Sequence, residues 1–235
     1  MTPDENAKKY GAEYPAAITT GAVRLPLLKE ARFWRDFGVP QRTHRISRFM
    51  DGSASMTLAQ LEQEWPGWSD GDRLGFCGAC NWLHPQADFP AMLRFVMQAG
   101  GPDEWAAIAL SIATYLQQDE AFGFLSQALG SVEVGDPGSA NLGQALARTR
   151  HPAAEAILRR QLAELWQREM LWEPDDFINW EAFVATCTIQ HLIDLGAAPA
   201  DFADQVRRLA DHICARNRDS CRNFLGKHYE WLGSG

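Results

Sequence analysis

Residues 141–162 read NLGQALARTRHPAAEAILRRQL, two helical stretches broken at His151-Pro152. Proline suits a first helical turn, where its missing N–H would have no partner anyway. The second stretch carries Leu158 and Leu162, an apolar i, i+4 pair that is the third of its kind. Leu93 and Met97 come first, Leu125 and Leu129 follow 32 residues later, and Leu158 and Leu162 follow after another 33. A period in that range marks stacked helical hairpins, in which no single unit can bury its own apolar face. Working outward, residues 73–84 pair with 89–99 around His84-Pro85, and residues 104–117 pair with 120–130 around Gln118-Asp119. Residues 140–150 pair with 152–168. A longer fourth hairpin joins 177–195 to 201–215 across Gly196 and Pro199, and a last helix spans 219–229.

The predicted fold is therefore all-α: a right-handed stack of antiparallel helical hairpins, an α-solenoid with an N-terminal arm. Thr57 and Gln60 have the spacing of a capping box, in which each side chain satisfies a backbone N–H at a helix start. The main body is placed at 57–235 on that ground. Residues 1–56 form the arm, loosely ordered at first, with one short amphipathic helix over 25–37 that stops at Gly38 and Pro40.

The 141–162 segment resembles one HEAT-type repeat, with small residues on one helix face and leucines on the other. The resemblance runs over about residues 73–215. Small bacterial proteins of HEAT-like type include scaffolds, toxin-neutralising immunity proteins, phycobilin lyase subunits and alkylpurine DNA glycosylases. The last activity goes with a basic concave groove, which this chain does not offer.

Charge decides that point. Residues 1–56 carry nine Lys+Arg against six Asp+Glu, whereas residues 57–235 carry 13 against 24, so the body is −11 within a total of −8. An acidic body repels nucleic acid, which is bound by neutralising phosphates with Lys and Arg. It favours a basic partner. The Arg42, Arg45 and Arg48 stretch is the basic exception. Hydrophobic residues make up 46% of the 235, enough for a substantial core without staples or metals. The polar start MTPDENAKKYGAEYP has no apolar segment of the signal-peptide kind, and no run nears the roughly 20 residues that span a bilayer. Five cysteines, an odd count at irregular spacing, fit a reduced compartment. The expectation is a cytoplasmic protein with no membrane partner.

Cys77-Gly-Ala-Cys80 followed by His84 is the sharpest local motif, because tetrahedral zinc takes thiolates and imidazoles at such spacings. The repeat register, however, sets Cys80 opposite Ile112 and Ala145, and free cysteine packs as a small hydrophobe. Cys187 and His191, four apart, have the spacing of a nucleophile and its base, but Cys187 also fits an apolar stripe. His228-Tyr-Glu230 has the H-x-E form of zinc deaminases, with its CxxC on the wrong side. No phosphate-cradling, dinucleotide, zincin or nucleophile-elbow motif occurs. No metal, cofactor or catalytic residue is assigned.

One pattern points outward. In a stack of hairpins the loops joining one hairpin to the next share an edge, and here those loops pair carboxylates with tryptophans. They contain Trp68, Asp70 and Asp72, then Asp103 and Trp105, then Glu133 and Asp136, then Asp175, Asp176 and Trp180. Acidic residues also favour helix N-termini for local reasons, and tryptophan there can pack inward as a staple. Read as a surface, the edge offers aromatic anchors with steering charges. The functional expectation is a non-catalytic protein-binding solenoid that takes a basic partner through Trp68, Asp70, Asp72, Asp103, Trp105, Asp175, Asp176 and Trp180. An immunity-type protein that neutralises a toxin, or a scaffold, is its most concrete form. The alternative is an enzyme, or a protein binding a small ligand or metal, that uses the groove between hairpins.

Overall fold

A computed structural model describes residues 57–80, 88–168, 179–212 and 214–232. The expected arm, His84, Asp175 and Asp176 lie outside the described residues. Within them are ten α-helices, four short 3-10 turns and no strand. The chain divides into two compact units, Met1–Tyr115 and Leu116–Gly235. That division falls inside the second expected hairpin.

The first unit contains α1 (Leu58–Glu64), α2 (Asp70–Cys80), α3 (Phe89–Ala99) and α4 (Pro102–Tyr115). The capping box forms as its spacing predicts: Gln60 N–H donates to Thr57 Oγ1 at 3.2 Å and Thr57 N–H donates to Gln60 Oε1 at 2.9 Å. A second reciprocal cap starts α2, where Asp72 N–H donates to Ser69 Oγ and the Ser69 hydroxyl donates to Asp72 Oδ2. Helix α4 packs on both α2 and α3, and α1 packs on α3. The core between them holds Leu61, Phe76, Phe89, Met92, Leu93, Val96, Ile108 and Ile112.

The second unit contains α5 (Gln118–Ser131), α6 (Pro137–Arg148), α7 (Ala154–Gln167), α8 (Trp180–Asp194), α9 (Ala203–Ala210) and α10 (Ala215–Leu225). Helix α8 packs against α6, α7 and α10. Every residue from Val184 to Leu192 is buried, so this helix has almost no solvent face. Its polar members turn inward on their own backbone: Thr186 donates to the Ala182 carbonyl and Thr188 to that of Val184. The leucine pairs that set the period are buried, apart from half-buried Met97.

Two sequence expectations need correction. Within each unit, the consecutive helices that pack extensively are α3 with α4, α5 with α6, α7 with α8 and α9 with α10. The expected partners α6 with α7 and α8 with α9 touch only lightly, so the pairing is shifted by one helix. Periodicity fixes where helices lie and leaves open which flanking neighbour each one faces. The expected helix over 201–215 is also divided, into a 3-10 turn at Pro199–Phe202, then α9, then the start of α10. His212 makes the break: its Nδ1 accepts from Cys214 N–H at 3.0 Å, while its carbonyl accepts from the Arg218 guanidinium at 2.7 Å.

The turn between α5 and α6 depends on Gly135. Its φ is +99°, and a Cβ there would stand 2.5 Å from Glu181 Cγ on α8. Both backbone conformation and space require glycine. Replacing Gly135 by Ala should lower the unfolding free energy by about 2 kcal/mol, measured by urea titration, with helix content preserved.

Candidate functional site

The candidate surface residues meet different fates in the structure. Trp68 is only 4% exposed and packs its ring 5.6 Å from Trp65 and 5.4 Å from Phe76, so in the first unit it serves the core. Phe95 closes the same cluster on Trp65, and the Arg73 guanidinium lies over the Trp65 ring at 5.4 Å. Asp72 is engaged in the α2 cap. Asp70 and Asp103 are exposed on the first turns of α2 and α4, where carboxylates meet the positive end of the helix dipole. Trp105 is half-buried.

Trp180 belongs to the second unit and is 41% exposed as the first residue of α8. It does not stand by itself. Its ring meets Phe183 edge-on at 5.7 Å, and Phe183 meets Phe224 of α10 edge-on at 6.1 Å. Phe224 is likewise 41% exposed. The result is a row of three aromatic rings across two helices, presented to solvent at both ends. Edge-to-face pairs of this kind hold one another rigid and add roughly 0.5–1.5 kcal/mol each beyond area burial.

A side-chain clamp sets the row in place. Asn217, buried on α10, accepts from the Asn179 N–H at 2.9 Å and donates to the Asn179 carbonyl at 2.7 Å. Asn179 in turn caps α8, its Oδ1 accepting from Ala182 N–H at 2.8 Å. One amide thus satisfies both main-chain groups of the residue preceding Trp180 and fixes the start of α8 on the helix that carries Phe224. Alongside, the α5–α6 turn lies against Glu181 at Gly135 and is tied to the end of α7. The Arg168 guanidinium donates to the Val134 carbonyl at 2.9 Å and pairs with Glu133 at 3.1 Å. Glu181, on the first turn of α8 next to Trp180, thus lies against the α5–α6 turn, whose Glu133 pairs with Arg168.

Sequence reading names Trp180 and not the two rings beside it. Phe183 stands at i+3 from Trp180, a visible signal for a shared helix face. Phe224 and Asn217 carried no such signal, since their place depends on how α10 lands on α8.

The chemical motifs read as packing. Cys77 and Cys80 are buried, and burial pushes both thiols well up, the two neighbours reinforcing the effect on Cys77. Cys187 is pushed up to about 12 by burial, while desolvation lowers His191 to about 4 against the pull of Asp194. Thiolate and imidazolium are both disfavoured there, the reverse of an activated pair. Among the described residues no group of three or more His, Cys, Asp or Glu side chains could hold a metal ion. Nor is any described helix long and apolar enough to cross a membrane.

Two outcomes check this geometry. Asn217→Ala removes both clamp hydrogen bonds to Asn179, whose carbonyl keeps the Phe183 N–H at 3.1 Å, and should cost about 2 kcal/mol in urea unfolding with an altered Trp emission. His191 predicts a pH dependence. Above its ordinary value of 6.5 both folded and unfolded states are neutral and its effect is flat. As pH falls from there toward about 4, only the unfolded chain binds the proton, so stability declines by up to about 3 kcal/mol. His191→Asn should remove that part of the pH slope.

No protein-family model matches the chain, and no curated protein or solved structure matches it either.

Proposed function

We propose that this chain is a non-catalytic protein-binding molecule that takes a basic partner through the aromatic row Trp180–Phe183–Phe224 and the carboxylates beside it. In its full form the proposal is a HEAT-like α-solenoid, a right-handed stack of antiparallel hairpins acting in the cytoplasm. A toxin-neutralising immunity protein or a scaffold is the most concrete role, because an acidic blocker can mask a positively charged substrate groove. The alternation of packing between nearest and next-nearest helices within each unit, such as α6 with α8 and α8 with α10, is what stacked hairpins require.

The observation that carries the binding reading is the exposure of Trp180 and Phe224 on either side of a half-buried Phe183. Large apolar rings in water cost solvation free energy that a partner recovers, and pre-ordered aromatics lose little entropy on binding. The acidic excess supplies steering toward a basic partner.

The test compares wild type with Trp180→Ser/Phe224→Ser as bait in the native cell extract, followed by affinity measurement on the protein recovered. A basic protein retained by wild type, bound about 100-fold more weakly by the double variant and released by salt, is the expected result. Identical capture by both baits, insensitive to salt, overturns the proposal.

A further inference from the structure

Guanidinium groups repeatedly lie over aromatic rings in the second unit. Arg159 stands 5.3 Å from the centre of the Phe202 ring, Arg207 5.6 Å from that of Trp231 and Arg208 5.2 Å from that of Trp166. In two of these a carboxylate holds the same guanidinium. Asp204 accepts from Arg207 at 2.6 Å, and Glu155 accepts from Arg159 at 2.7 Å. Ring, guanidinium and carboxylate therefore recur as a set. A guanidinium is planar and weakly hydrated, so it lies flat on a π face while its edge N–H groups still donate. A compact, strongly hydrated ammonium does this less well.

The start of α8 has the ring and the carboxylate without the guanidinium. Trp180 is as exposed as Trp231, yet among the described residues no cation lies over it. Its ring contact is Phe183, which holds one flank and leaves the rest to water. Glu181, next along the first turn of α8, is half-buried and forms no ion pair among the described residues. At the far end of the row the charge is opposite. Lys227, three residues after Phe224, is exposed and also forms no ion pair among the described residues. An incoming cation is therefore favoured at the Trp180 end and disfavoured at the Phe224 end.

We infer that the partner of this surface presents an arginine whose guanidinium stacks on the Trp180 ring, with Glu181 as the neighbouring negative charge. The inference rests on the protein-binding reading and narrows it, since a partner whose cations are all lysines does not fit the site. The apolar stem of the arginine covers ring area that Trp180 exposes, so packing and charge act through one side chain. The ring is ordered before the arginine arrives, by the edge-on contact with Phe183 and by the Asn179 cap at the start of α8. Little entropy is then lost on docking.

The experiment titrates the isotope-labelled full chain with two capped peptides of equal charge, one of six Arg-Gly repeats and one of six Lys-Gly repeats. The readout is the indole N–H resonance of Trp180, assigned by its loss in Trp180→Leu. The expected result is a saturable shift with the arginine peptide, bound about fivefold more tightly than the lysine peptide. Trp180→Leu keeps apolar bulk and removes the π face. It should bring the arginine peptide to the affinity of the lysine peptide while the helical circular-dichroism spectrum is retained. Glu181→Gln should weaken both peptides by about twofold, because it removes charge alone. Equal affinity of wild type for the two peptides overturns the inference. So does an arginine preference that survives in Trp180→Leu, or a Trp180 resonance that neither peptide moves. Each of these leaves capture of a basic protein from cell extract standing, so the two proposals fail separately.

Discussion

A helix that must be buried along nearly its whole length governs the second unit. Helix α8 is enclosed by α6, α7 and α10, and its sequence is not that of a purely apolar core segment. Thr186, Cys187, Thr188, Gln190 and His191 all lie inside. Each polar group taken from water must find a partner or carry a desolvation cost. The threonines solve this locally by bonding to carbonyls four residues back, and Gln190 reaches Asp194 at 2.7 Å. His191 has no hydrogen-bond partner at Nε2, and its burial favours the neutral ring. On this helix Gln190 Oε1 and His191 Nε2 are left buried without a hydrogen-bond partner.

The ends of α8 have their own requirement. Its start is fixed by an asparagine on another helix, and the same contact brings Phe224 beside Phe183. Exposed aromatics and buried amides are thus parts of one arrangement: the amides order the backbone from which the rings project. Gly135 lets the α5–α6 turn, which carries Glu133, come close to Glu181 at the start of α8.

Much of the secondary structure was legible from local chemistry. The Thr57–Gln60 cap and the bounds of the helix at Phe89–Ala99 appear as spacing alone indicates, because caps and apolar periodicity act over a few residues. The pairing of helices was not legible, because an apolar stripe fits either neighbour equally well. Trp68 shows the same limit at a single residue: a tryptophan beside a helix start reads alike whether it faces water or Phe76, and here it faces Phe76. The CxxC register did indicate core packing, and Cys77 and Cys80 are buried. The Asn179–Asn217 clamp was beyond reach, since residues 38 positions apart meet only through tertiary contacts.

The asparagine clamp has a bearing on how this molecule comes into being. Asn179 emerges during synthesis 38 residues ahead of the amide that completes it. Until α10 arrives, the leading end of α8 lacks both hydrogen bonds to Asn217, and the nascent segment holds its tryptophan on an unanchored turn. Closure of that loop is a late, long-range step of the kind that slows maturation and leaves sticky surface open to chaperones. The aromatic row therefore becomes a finished shape only after nearly all of the unit has been made.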